Sequence, residues 1–510
     1  MSSSRLPLFS LAPSLAIHTP ASPISVAQAW QKSYPAPQCP FTAGTGASST
    51  LPPFLNLSQG VPGQLPSAAF RSRLRDEAAK DLHHSYSLAA PALRQNLARQ
   101  INEVYRRGED AEGRGAVGEH DICVTAGCNS ASEFVFRMLC QPGANEAVVI
   151  PTPFYFNHSM QLLSLSVEPV PLPSSPPAYL PSPTAFESLL KEHSASQSLP
   201  KIKALVLVTP NNPTGSIYPP QLIAEFGKIC KREGIALVLD ETYREFLISD
   251  EEEGGVKAPH ELFKDGLGDD KEWEWRQTVI HLYSFSKSFA IPGHRLGAII
   301  SHPSLFSPPP PSPTTPATFG PLAKALDNTL IVPPRVDTQN VVAWSMFDED
   351  EVRGRREVAR ELKRRGEVFR RGMKRVIAEG DFEKWELGGS ALAGKSLAEL
   401  GWEIESLGGY YAFVRHPFNR DVPQGEELLS SSQVAEALAS LFGVGILAAD
   451  GFMPDQSKAV ARDVCANLLR FSLANVADSR ILEEDLPVRL ALMSRFVELR
   501  GKKAVFRSGS

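Results

Sequence analysis

The sequence predicts an α/β protein with a largely parallel sheet covered on both faces and a second, smaller α/β domain. Three observations carry that prediction. From about Pro91 onward, short apolar runs alternate with helix-patterned segments. The runs "EAVVIPTP", "IKALVLVTP", "GIALVLDE", "TVIHLYSFS" and "RLGAIIS" are apolar throughout rather than at every second position. That pattern marks strands buried on both faces. Polar motifs stand at the carboxyl ends of several of these runs, where open α/β sheets bind their ligands.

Composition bounds the answer. The chain has 510 residues, 42% hydrophobic and 21% charged, which fits a globular protein of more than one domain. The formal net charge is -5 and the basic residues form no stripe, so no nucleic-acid partner is expected. The longest apolar runs fall well short of the roughly 20 residues a membrane helix needs, so no membrane partner is expected either. The six cysteines, Cys39, Cys123, Cys128, Cys140, Cys230 and Cys465, form no Cys-x-x-Cys pair. Reduced, mostly buried thiols and no metal site are the expectation.

Taken in order, residues 1–22 read as a disordered tail, rich in Ser, Pro and Ala. No acidic residue precedes Asp76, as in an organellar presequence, but Arg5 is the only Lys or Arg before Lys32. A cytoplasmic location is the reading adopted. Residues 23–75 form an N-terminal segment that joins the smaller domain, with "ISVAQAW" as a short helix and "FLNLSQGVPG" as a strand entering a turn. Residues 76–335 make the large domain. There "ALRQNLARQINEVYRR" has helical spacing, "ICVTAG" is a strand, and "NSASEFVFRMLC" is a helix with a polar start. "SDEEEGG" is a solvated acidic loop, and "SPPPPSPTTPAT" (Ser307 to Thr318) is an extended insertion that cannot build a core. Residues 336–510 make the small domain. It opens with a long charged helix around "RGRREVARELKRRGEVFRRGMKRV" and contains the strands "GGYYAFVRHPF" and "LLRFSLAN".

The chemistry centres on "YSFSKSFAIPGHRLGAII", which places one lysine at the exit of an apolar strand. A phosphorylated aromatic aldehyde makes specific demands on a protein. It needs a lysine to form an imine, and helix-terminal amides, hydroxyls and an arginine for its phosphate. It also needs a carboxylate for its ring nitrogen and hydrogen-bond donors for its ring oxygen. Lys287 is the imine candidate. Ser284, Ser286 and Arg295 suit the phosphate, as do the amides of Gly127, Cys128 and Asn129 where a strand turns into a helix. Asp240 ends "GIALVLD" and suits the ring nitrogen. Tyr243 and Asn212, the latter in "TPNNPTG", suit the ring oxygen. Each motif alone reads as an ordinary cap or turn. Their order, on the strand ends of one sheet, is what carries the signal.

The ordered set "TAGCNSA", "PTPFY", "TPNNPTG", "LVLDETY", "SFSKSFAIPGHRLG" and "LLRFSLAN" resembles the class I/II aminotransferases, over roughly Pro53 to Leu490. These are pyridoxal 5′-phosphate (PLP) enzymes of fold type I. The resemblance implies a large PLP-binding domain with a mostly parallel seven-stranded sheet, and a smaller α/β domain. It implies Lys287 as the Schiff-base lysine and Asp240 at the pyridine nitrogen, with Asn212 and Tyr243 at the 3′-oxygen. Gly127, Cys128, Asn129, Ser284 and Arg295 would surround the phosphate. Tyr155 would stack on the ring, Arg470 would grip the substrate α-carboxylate, and Gly60 would touch it through its backbone. A homodimer acting on an amino acid and a 2-oxo acid by a ping-pong route is the implied partner set. Neutral or aromatic amino acids are favoured, because no second arginine for a dicarboxylate is evident.

The chain departs from the family at "HHSYSLAAPALR", where His84 occupies the slot of a tyrosine that reaches the neighbouring subunit's phosphate. Tyr86 fits that slot only with a two-residue deletion. The segment "AEGDFEKWELGGSALAGKSLAELGW" looks like an insertion outside the pocket. Competing readings are a PLP-dependent carbon–sulfur lyase or aminocyclopropane-carboxylate-synthase-like lyase, and, further off, a non-catalytic PLP-binding protein.

Overall fold

The computed structural model describes residues 19–40, 51–84, 90–110, 112–247, 259–306, 320–330, 334–383, 387, 391–423, 427–453 and 459–506. Most of the N-terminal tail, the acidic loop and the proline-rich insertion lie outside the described residues, as does Tyr86. His84 ends a short 3-10 turn, Asp81–His84.

Among the described residues, fourteen strands follow one another: β1 (Leu55–Asn56), β2 (Ile122–Thr125), β3 (Glu146–Thr152), β4 (Glu168–Ser175), β5 (Leu180–Pro181), β6 (Lys201–Val208), β7 (Ala236–Asp240), β8 (Val279–Ser284), β9 (Gly297–Ile300), β10 (Glu403–Gly408), β11 (Tyr411–Arg415), β12 (Val444–Gly445), β13 (Leu447–Ala448) and β14 (Leu468–Ser472). The large sheet runs β2-β9-β8-β7-β6-β3-β4-β5. Its centre, from β8 through β4, is parallel, while β9 runs antiparallel to both β8 and β2. The seven expected strands are present, and the two-residue β5 adds an eighth at one edge.

Continuous apolar strands arise because both faces are buried. In β7, Leu237 and Leu239 join one core while Val238 joins the other. The first core is closed by the helices Pro91–Tyr105, Pro183–Ala195 and Pro220–Glu233, through Leu97, Phe186 and Phe226. The second is closed by Cys128–Leu139 and Phe156–Ser164, through Val135 and Leu162. Each such buried side chain contributes about 1.5–3 kcal/mol.

Strand β4 escapes the sequence patterning because it carries Pro169, Pro171 and Pro173. Prolines two apart remove amide donors from one edge of a strand only. The other edge keeps its pairing with β3 in unbroken register, from Ala147↔Glu168 to Thr152↔Pro173.

The small domain folds on a four-stranded antiparallel sheet, β10-β11-β14-β13. Its core contains Phe369, Trp402, Leu438, Phe471 and Leu490, together with Cys39, Leu55 and Leu57 from the N-terminal segment. Pairing of β1 with β12 ties that segment down. Phe382, Leu397 and Trp402 of the inserted segment also enter this core.

The packing shifts the partition expected at residues 75 and 336. Phe70 of helix Ala68–Ala78 belongs to the large sheet's core, as do Val341 and Val342 of helix Val336–Ser345. The change of core falls inside the long helix Glu349–Lys374. Its Ala359 and Leu362 pack against Tyr243 and Tyr410, while Val368, Phe369 and Met373 pack in the small domain. This helix is charged but not solvated all round. One apolar stripe is buried, and acidic residues open it while Arg371 and Lys374 close it, matching its dipole. Four of the six cysteines, Cys39, Cys140, Cys230 and Cys465, are buried. Among the described residues no helix is long and apolar enough to cross a membrane.

Candidate active site

The carboxyl ends of β6, β7 and β8 open into a cavity of about 100 Å³. It is lined by Cys128, Asn129, Tyr155, Asn212, Asp240, Tyr243, Ser284, Ser286, Lys287 and Arg295, with Val208, Thr242 and Pro292. Ten of the residues singled out in the sequence thus share one cavity. Larger cavities, of about 410 and 360 Å³, lie elsewhere, and Lys287 and Asp240 line neither.

Each wall follows from local structure. Gly127 caps the helix Cys128–Leu139 with φ of 83°, and a Cβ there would fall 2.3 Å from Arg295 Nη2. Only glycine lets the turn pass so close to the guanidinium. The helix N-terminus leaves amides unpaired within the helix and facing the cavity, a natural anion seat. Arg295 itself has φ of 55°, and donates to the carbonyls of Pro292 at 3.0 Å and Ala126 at 3.4 Å. Ser284 Oγ accepts from Ser286 N–H at 3.3 Å. Tyr155 caps the helix Phe156–Ser164, and its O–H donates to Asn129 Oδ1 at 3.2 Å.

Asp240 is 3% exposed. Thr242 donates to its Oδ1 through N–H at 3.0 Å and Oγ1–H at 2.7 Å, and His158 Nε2 stands 3.3 Å from its Oδ2. Burial alone would raise this carboxyl's pKa. The bonds from His158 and Thr242 outweigh burial and hold it below the usual range. Asp240 is therefore kept as a carboxylate. His158 and Thr242 were not singled out in the sequence. His158 lies three residues after Tyr155, a spacing that faces it to the same side of the helix, but nothing local marks it.

The Lys287 side chain makes no hydrogen bond or ion pair among the described residues, although its carbonyl accepts from Ala290 N–H at 3.2 Å. Burial and the charges of Arg470 and Arg295 press its pKa from 10.5 down to about 8. Arg470, on β14, is 1% exposed and has no carboxylate partner among the described residues. It donates from Nη1 to Asn212 Oδ1 at 3.0 Å and from Nη2 to the Ser58 carbonyl, while its Nε is buried without a partner. Arg470, Gly60 and Gly127 stand just beyond the cavity lining. Gly60 O accepts from Tyr410 O–H at 2.9 Å, and a Cβ on Gly60 would fall 1.8 Å from the Tyr411 hydroxyl.

The donor set is short of anions. Lys287 feels the charges of the two guanidiniums, and the carboxylate of the cavity lining, Asp240, already accepts from Thr242 and faces His158. A ligand with one anionic end near Arg295 and another near Arg470 supplies what is missing. PLP with an amino-acid substrate has that form, so the residues fit the cofactor.

A second buried cluster adjoins the site. Glu241 Oε2 lies 2.7 Å from His281 Nε2 and 3.3 Å from His260 Nε2. Leu262 N–H donates to His260 Nδ1 at 3.2 Å, which puts the proton of neutral His260 on Nε2, toward the carboxylate. Tyr105 O–H donates to the same oxygen. Tyr105 and His281 hydrogen-bond to this carboxylate oxygen, while His260 Nε2 faces it without a hydrogen bond and Glu241 Oε1 is buried without a partner.

Residues 52–386 match the family model described as aminotransferase class I and II. The chain belongs to the class I and II aminotransferases. PLP is the cofactor that membership implies. The aromatic aminotransferase ISS1 of Arabidopsis thaliana is 26% identical to this aminotransferase-family chain over 248 residues, 48% of this chain and 54% of that protein. The 1-aminocyclopropane-1-carboxylate synthase of Malus domestica is 31% identical over 184 residues, 36% of this chain and 37% of that protein. The chain therefore spans about half or less of the length of these curated relatives. Aspartate aminotransferase from Thermus thermophilus, solved with maleate, superposes with a TM-score of 0.63 at 18% identity, covering 96% of this chain and 100% of that one. That likeness bears on the fold.

Proposed function

We propose that this protein is a PLP-dependent aminotransferase that moves an amino group from an L-amino acid to a 2-oxo acid. The observation that carries the reading is Lys287, a buried amine that lines one cavity with Asp240 and Arg295 and whose pKa is pressed down to about 8 by burial and by the charges of Arg470 and Arg295. When bound, PLP supplies an electron sink for the pair left as the substrate Cα–H bond breaks.

The chain's own residues do the rest. Arg295, Ser284, Ser286 and the amides of Gly127, Cys128 and Asn129 would hold the phosphate. Tyr155 would cover the ring. Asp240 would keep a proton on the ring nitrogen, with His158 keeping Asp240 ionised. Asn212 and Tyr243 would donate to the ring oxygen. Arg470 and the Gly60 backbone would seat the α-carboxylate. Lys287 Nζ takes the Cα proton and gives it back, a role that suits an amine poised near the working pH. With Arg295 assigned to the phosphate and Arg470 to the α-carboxylate, the cavity lining offers no further arginine among the described residues for a second carboxylate, which favours a neutral or aromatic amino acid. A homodimer and a cytoplasmic location go with the proposal, testable by sedimentation and by imaging of the tagged chain.

The first test is an absorbance spectrum of the purified protein, taken before and after adding a panel of amino acids without any keto acid. The reading expects a visible band that the right amino acid converts to the pyridoxamine form, and its loss in Lys287→Ala. The likeness to an aminocyclopropane-carboxylate synthase keeps elimination as the second reading. A band that persists while ammonia accumulates decides for a carbon–sulfur lyase, and one that persists while a leaving group is released without ammonia decides for the synthase type.

A further inference from the structure

Tyr411 sits where the two halves of the site meet. It lies on β11, whose register sets it opposite Ser472 and sets Phe413 opposite Arg470. The side chain is 2% exposed. Its hydroxyl is 2.8 Å from the hydroxyl of Tyr243, and its ring lies under the Arg470 guanidinium. The same hydroxyl abuts the Gly60 backbone. One phenol therefore touches the candidate donor to the cofactor's ring oxygen, the arginine for the carboxylate, and the glycine beside it.

Two phenols at this distance share one hydrogen bond, and its direction matters. If Tyr243 donates to Tyr411, Tyr243 shows only lone pairs to the cavity. If Tyr411 donates to Tyr243, the Tyr243 proton is free to point into the cavity. An anionic ring oxygen needs that proton. The neighbouring hydroxyl of Tyr410 is already committed to Gly60 O at 2.9 Å. A chain running Tyr411 to Tyr243 to the cavity gives each of these protons an acceptor, the last on the ligand, and each donor in such a chain strengthens the next.

We propose that Tyr411 is a positioning residue whose hydroxyl donates to Tyr243 and thereby turns the Tyr243 proton toward the cofactor's ring oxygen. The inference rests on the cofactor reading above. Its ligand-side consequence is electronic. A weaker donor at the ring oxygen leaves that oxygen's negative charge less stabilised, which favours the protonated form of the lysine-bound chromophore.

The test is a pH titration of the visible band in the holoenzyme, without substrate. Tyr411→Phe keeps the ring under Arg470 and removes only the hydroxyl. Its titration midpoint should move upward by about 0.5 pH unit, a size in keeping with a modest cooperative strengthening. Tyr243→Phe should move it further, and the Tyr243→Phe/Tyr411→Phe pair should move it no further than Tyr243→Phe alone. Gly60→Ala, whose added carbon would displace the Tyr411 hydroxyl, should move it in the same direction as Tyr411→Phe. A midpoint unmoved in Tyr411→Phe, or a Tyr411→Phe shift that persists in full without the Tyr243 hydroxyl, overturns the inference and leaves the cofactor reading standing. A wild-type protein with no visible band after PLP is added overturns both.

Discussion

His158 Nε2 stands 3.3 Å from Asp240 Oδ2, in a setting where neither side chain is more than 4% exposed. The aspartate would be neutralised by burial if it stood alone. Replacing His158 with Leu removes the partner and should raise the Asp240 pKa. Losing a hydrogen bond to a charged group costs about 1.5–3 kcal/mol, so affinity for PLP should fall by roughly 10- to 100-fold. PLP binding followed by fluorescence quenching measures this, and unchanged affinity would show that Thr242 alone keeps the carboxylate ionised.

Arg470 offers a planar pair of donors to a carboxylate, and lysine cannot reproduce that fork. Arg470→Lys should raise KM for the amino acid by about 10- to 100-fold, the value of one charge-assisted bond. The visible spectrum of the bound cofactor should stay in place, because Arg470 lies outside the cavity lining. Steady-state kinetics with the spectrum as control separates the two effects.

The amine of Lys287 should be unusually easy to deprotonate in the cofactor-free protein. Its modification by an amine-reactive reagent, followed by mass spectrometry of the peptide, should show a midpoint near pH 8 rather than 10.5. Removing the Arg470 charge in Arg470→Met should move that midpoint upward, since like charge lowers an ammonium's pKa. A wild-type midpoint near 10 would rule out the poised amine.

His416 offers a stability test away from the site. It is 2% exposed, with Nε2 against the Ala466 carbonyl at 2.7 Å and Nδ1 accepting from Phe418 N–H at 3.2 Å. Burial presses its pKa from 6.5 to about 4 against the pull of that carbonyl. A depressed histidine contributes stability that is complete above pH 6.5 and is lost as pH falls toward 4, because only the unfolded chain takes up the proton in that window. The loss is about 1.4 kcal/mol per pH unit, or about 3 kcal/mol in all. His416→Asn should be less stable than wild type at pH 7, and denaturant titrations should show the gap narrowing at that rate below pH 6.5.

How much of this protein can be read from the chain depends on the range of the interaction concerned. Lys287, Asp240, Asn212 and the Gly127 turn were legible because each is announced by neighbours in sequence: a strand that ends, a cap, a proline turn. Strand β4 was not, because its prolines argue against pairing until the open edge that accommodates them is seen. The long charged helix hid its buried stripe for a related reason, since what it packs against is distant in sequence. His158 and Thr242 act through Asp240, and Tyr411 meets Tyr243 across 168 residues.

By itself the sequence determined the α/β class, the sheet's doubly buried strands, the set of groups suited to PLP and the family resemblance. These depend on periodicity and on motifs a few residues long, which local backbone geometry enforces. Only the tertiary structure decided that ten of those residues share one cavity, and that Arg470 and Asn212, 258 residues apart, are 3.0 Å from one another. It also decided that Lys287 loses its high pKa. That property belongs to no residue alone. It arises because folding takes an amine out of water and sets the charges of two guanidiniums against it.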